Sequence, residues 1–109
     1  MIAWHSKLFY DKGLEGDKKR DKIRKLVTHH KRTPVDVTGI FVAQNPDNIL
    51  EMIAFNDMLL PAYAHTEYLC IGMASTRAAA EEMMCKLLSD IYMERGYLPS
   101  KDVLRLLME

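Results

Sequence analysis

Tyr10, Asn45, Ser75, Thr76 and Arg77 are the residues whose types and spacing best fit a ligand site. Each follows an apolar stretch that reads as a strand, and in open parallel α/β sheets ligands bind just beyond the carboxyl ends of the strands. Asn45 and Ser75-Thr76 also stand where helices would begin. Free backbone N–H groups and a positive helix end there could hold a phosphate or carboxylate, with Arg77 adding charge. The same residue types cap helices when no ligand is present, and no glycine-rich phosphate loop accompanies them. Capping is the simpler account.

A second set is basic. Residues 1–34 carry ten Lys or Arg against four Asp or Glu, whereas residues 35–109 carry five against eleven, so a net charge of zero conceals a strong charge dipole. Lys18, Arg20, Lys22, Arg24 and Lys25 concentrate that charge on a helix predicted over 17–32. A nucleic-acid backbone would be drawn to such a face, with an affinity that falls steeply as salt rises. No aromatic residue is interleaved to stack on bases, however, and a helix with a thin apolar stripe must be charged on its other sides. A solvated face is favoured over nucleic acid, and an acidic partner protein fits the dipole equally well.

Other chemistry finds little support. His29 and His30 are adjacent, so on a helix they point about 100° apart and cannot share a metal. His65 and Glu67 lack a third ligand, and His5 with Lys7 on the first strand suits a structural role. Cys70 and Cys85 both fall at expected core positions, where a thiol behaves as a small hydrophobe. No nucleophile elbow or Cys-x-x-Cys is present. These patterns assign no catalytic residue, metal or cofactor, and leave open whether the chain is an enzyme.

The elements that would position these residues follow from the apolar pattern. Tyr68–Ala74 is apolar at nearly every position, as a strand buried on both faces must be. Ala80, Met83, Met84, Leu87, Leu88 and Ile91 then repeat at intervals of three and four, which predicts a helix running to Arg95, with Gly96 as a left-handed C-cap. Upstream, Ala3–Tyr10 reads as a half-buried edge strand, Asp17 to about Lys31 as a helix with Asp17 accepting backbone N–H bonds at its start, and Val35–Gln44 as a second strand. Asn45-Pro46-Asp47 predicts a helix to about Phe55 carrying Ile49, Met52 and Ile53 inward. Asn56–His65 is an apolar connector. Pro99-Ser100 opens a last short helix with Val103, Leu104, Leu106 and Leu107 as its apolar face.

The expected architecture is a single compact α/β domain over residues 1–109, in the order β-α-β-α-β-α-α. It has a three-stranded, mostly parallel sheet and three to four helices. Two strongly apolar strands in three leave one as a bare edge, which the last helix or Met58–Leu60 could cover but a second copy of the chain covers as economically, so a homodimer is expected. No apolar run approaches the ~20 residues of a membrane span and no signal peptide opens the chain, which points to the cytoplasm.

The line-up of Trp4-His5-Ser6-Lys7-Leu8, the Asn45-Pro46 helix start, Leu59-Leu60-Pro61 and Ile71-Gly72-x-Ala74 resembles a group of small bacterial proteins with no assigned activity. The resemblance implies no catalytic residues, cofactor or partner. The expectation is therefore a binding or protein-interaction module, with a rim pocket or nucleic-acid binding as alternatives.

Overall fold

A computed structural model describes residues 2–44, 48–64 and 66–96. Within them lie four strands, β1 (Ile2–Tyr10), β2 (Thr38–Val42), β3 (Leu50–Ala54) and β4 (Tyr68–Ala74), and two α-helices, α1 (Asp17–Thr28) and α2 (Arg77–Arg95). The strands form one sheet in the order β1-β4-β2-β3. Only β1 and β4 run parallel; β2 is antiparallel to both β3 and β4.

This corrects the expected three-stranded, mostly parallel sheet with three to four helices. The segment read as a second helix contains β3, a hairpin partner of β2 closed by the Ala43 N–H donating to the Ile49 carbonyl at 3.0 Å. Its apolar residues fit either period. Ile49, Met52 and Ile53 satisfy a helical spacing, yet Leu50 and Met52 pack on one face of the sheet while Ile53 and Phe55 pack on the other. Short apolar runs are ambiguous in this way, and Asn-Pro-Asp marks a turn as readily as a helix start. The triplet itself, and the helix expected after Pro99, lie outside the described residues.

The correction also removes the reason for expecting a second copy. Both strongly apolar strands, β2 and β4, are interior and pair with each other, and β2 is buried along its whole length. The hydrophobic edge on which the dimer was expected is covered within the chain itself.

One face of the sheet carries an aromatic core. Phe41 meets Phe55 edge-on with ring centroids 6.1 Å apart and Tyr68 at 5.8 Å, while Trp4 reaches Phe55 at 6.0 Å. Helix α1 closes this face with only two buried side chains, Ile23 and Val27. It begins at Gly16, which has no side chain to cap it, and Asp17, expected to accept backbone N–H bonds there, pairs with Arg20 instead. It ends three residues earlier than the pattern suggests. The His30 N–H donates to the Val27 carbonyl and the Lys31 N–H to the Leu26 carbonyl, with His30 left-handed at φ 55°. That pair of bonds is the Schellman ending, which stops a helix by satisfying its last carbonyls.

Helix α2 lies on the opposite face and packs on Ile40, Val42, Leu50 and Ile71. Thr76 caps its start, accepting a hydrogen bond from the Ala79 N–H at 3.1 Å, and Gly96 ends it at φ 75° as expected. Between β3 and β4 the apolar connector folds into two 3-10 turns, Phe55–Leu59 and Pro61–Tyr63. Asn56 fastens this region. Its Oδ1 accepts from the Thr33 N–H at 2.8 Å and the Thr33 hydroxyl at 3.0 Å, and its Nδ2 donates to the Thr33 carbonyl at 3.2 Å. No helix among the described residues is long and apolar enough to cross a membrane.

Candidate functional site

The mixed sheet divides the expected rim. Tyr10 and Ser75 stand at one end, where β1 and β4 finish side by side with Tyr10 opposite Met73. Because β2 is antiparallel to β4, its end lies at the other, and the Gln44 side chain donates to the Glu67 carbonyl just before β4 begins. Asn45 lies outside the described residues. The polar groups near Ser75 are engaged with one another: Asp11 Oδ1 accepts from the Ser75 N–H at 3.0 Å and Asp11 Oδ2 from its hydroxyl at 2.6 Å. Ser75 therefore ties β1 to β4, Thr76 is the helix cap, and Arg77 lies exposed 3.6 Å from Glu81.

Helix α1 sorts its basic residues into two groups. Arg20 is drawn inward, its guanidinium 3.7 Å from the centre of the Tyr10 ring while Nη1 donates to the Leu14 carbonyl at 3.0 Å. Arg24 lies over Trp4 at 5.6 Å. These cation–π contacts place both arginines on the flank of the aromatic core. Lys18, Lys22, Lys25 and His29 are different. At about 100° per residue they fall on one line, on the side of the helix away from Ile23 and Val27, and all four are exposed. They border a shallow groove of about 420 Å³ together with Asp21, Leu26 and Lys31. The spacing pattern contained that line, but the arginines' withdrawal depends on contacts with β1 and was not legible.

The thiols separate as well. Cys70 is fully buried and donates to the Gly72 carbonyl at 3.2 Å, and burial pushes its pKa up to about 12. A thiol held protonated in this way is a poor nucleophile. Cys85, expected in the core, is exposed because it lies on the outer side of α2. Burial, with smaller contributions from Glu51 and Tyr63, also raises the Tyr68 pKa. Among the described residues no group of three His, Cys, Asp or Glu could hold a metal ion.

One cavity escaped the sequence reading altogether. About 230 Å³ lies between the Phe9-Tyr10 end of β1 and α2, floored by Ile40, Ile71 and Gly72. Its signal was Gly72, since a lone glycine in an apolar strand marks a bulge or a close approach. Comparison with family models, curated proteins and solved structures finds no match to this chain.

Proposed function

We propose that this chain is a non-enzymatic interaction module that receives an acidic protein segment along α1. The observation that carries this reading is the single line of Lys18, Lys22, Lys25 and His29 opposite the buried face of the helix. Glutamates or aspartates repeating every three or four residues on a partner helix would match it, since such residues also share one face. The groove favours a protein over nucleic acid. Asp21 within it repels phosphate, the half-buried Leu26 offers apolar contact, and its lining includes no Phe, Tyr or Trp ring on which bases could stack.

The test compares the protein with its Lys18→Gln/Lys22→Gln/Lys25→Gln variant. The probes are a helical peptide with glutamates at four-residue intervals and a flanking leucine, and single- and double-stranded oligonucleotides of equal charge. Exposed ion pairs are worth about 0.2–1 kcal/mol each, so the triple variant should bind the peptide about tenfold more weakly or worse, with an unchanged circular dichroism spectrum. Peptide binding that ignores both salt and the substitutions sinks the proposal. Tighter binding of an oligonucleotide than of the peptide replaces it with nucleic-acid recognition.

A further inference from the structure

We infer that the cavity between β1 and α2 is a binding site for a free α-amino acid with an apolar side chain. Its existence follows from two irregularities in adjacent strands. In β4, Phe41 pairs with Cys70 but Ile40 pairs with Gly72, so Ile71 is an extra residue. A bulge of this kind turns two successive residues toward the same side. Both Ile71 and Gly72 consequently face α2. In β1 the register passes from Trp4 opposite Cys70 to Phe9 opposite Gly72, and the strand bows away between them. Gly72 lets the Phe9 end of β1 approach closely at the edge of the cavity. A Cβ there would meet the Phe9 carbonyl oxygen at 3.2 Å and the Phe9 Cβ at 3.3 Å.

The walls and floor are apolar. Ile40 and Ile71 are buried beneath, and Met83 and Leu87 of α2 form the side. The volume excludes most cofactors, whose pockets run to about 300–1,000 Å³, but exceeds the ~150 Å³ that accommodates benzene in an apolar cavity. A ring or branched chain with a small head group fits that interval.

The mouth defines the head group. Lys86 and Asp90 stand one turn apart on α2, both exposed. The ion pairs among the described residues are Asp17–Arg20, Asp21–Arg24 and Arg77–Glu81, so among the described residues these two charges are joined neither to each other nor to a third. Helix stability does not account for them, because a base four residues before an acid is the weaker order for an i,i+4 pair. One positive and one negative group at the rim of an apolar cavity complement a zwitterion, its carboxylate toward Lys86, its ammonium toward Asp90 and its side chain inward.

Calorimetric titration of the full chain with L-phenylalanine, L-leucine and L-methionine tests this, beside glycine, 3-phenylpropionate and phenethylamine. Saturable binding of an apolar amino acid is expected, with no binding of glycine. The analogues lacking either charge should bind about two- to fivefold more weakly, as should phenylalanine to Lys86→Gln or Asp90→Asn. Glu94→Gln, on the same helix outside the cavity lining, controls for general charge and should leave affinity unchanged. Equal affinity for 3-phenylpropionate and phenylalanine overturns the zwitterion assignment. Affinity unaltered by both cavity-mouth substitutions, or no binding of any amino acid at millimolar concentration, overturns the site itself. Failure here leaves the α1 proposal untouched, since α1 lies on the other face of the sheet.

Discussion

The two faces of the sheet are covered in opposite ways. Helix α1 brings a highly charged sequence with two buried side chains to a face already filled by Phe41, Phe55, Tyr68 and Trp4. Helix α2 is longer and richer in apolar residues, yet only Ala80 is fully buried, and Met83, Met84, Leu87, Leu88 and Ile91 remain half-exposed. Interlocking aromatics need little from their helix, whereas flexible methionines and leucines over a bulged strand leave a cavity. How well a face closes thus depends on the shape of the strand beneath as much as on the hydrophobicity of the helix above.

The largest expected effect opposes the two faces directly. Phe41 is fully buried and contacts two aromatic rings, so Phe41→Ala should lose about 3–5 kcal/mol in urea denaturation. Leu87→Ala, beside an existing cavity, should lose about 2 kcal/mol or less, at the bottom of the range for such truncations. Equal losses would break the comparison.

A smaller effect sharpens it through pH. The Cys70 thiol has its pKa raised from 9.0 to about 12 in the folded chain, so above pH 9 the unfolded chain releases a proton that the folded one retains. Fewer protons on the unfolded state make stability fall as pH rises, by up to about 1.4 kcal/mol per unit for this group between pH 9 and 12. Tyr68 acts in the same direction from its ordinary value of 10.0 upward. Denaturation at a series of alkaline pH values should show a shallower decline in Cys70→Ala than in the parent chain.

Single elements, but not the sheet they form, were legible in the residues. The unbroken apolarity of Tyr68–Ala74 marked the central strand, the spacing of Met83, Leu87 and Ile91 marked α2, and Gly96 marked its end. The segment ending at Phe55 was not legible, because a five-residue strand flanked by turn residues satisfies a helical period by chance. That misreading reversed the direction of β2 and scattered the expected rim. Ser75 illustrates a further limit. Its type fits a helix cap, but only tertiary structure shows that Asp11 claims both of its donors. Lys86 and Asp90 gave no local signal either, since their interest lies in the cavity that they border.

The link between Thr33 and Asn56 also has a kinetic meaning. It closes across 23 residues and encloses the β2-β3 hairpin, whereas the Asp11–Ser75 link that secures β1 closes across 64. The longer closure costs only about 0.9 kcal/mol more chain entropy, but it must await the arrival of β4. The hairpin can therefore assemble from neighbours while the opening strand is still searching, and pulse-labelled hydrogen exchange should find the β1 amides the last to gain protection.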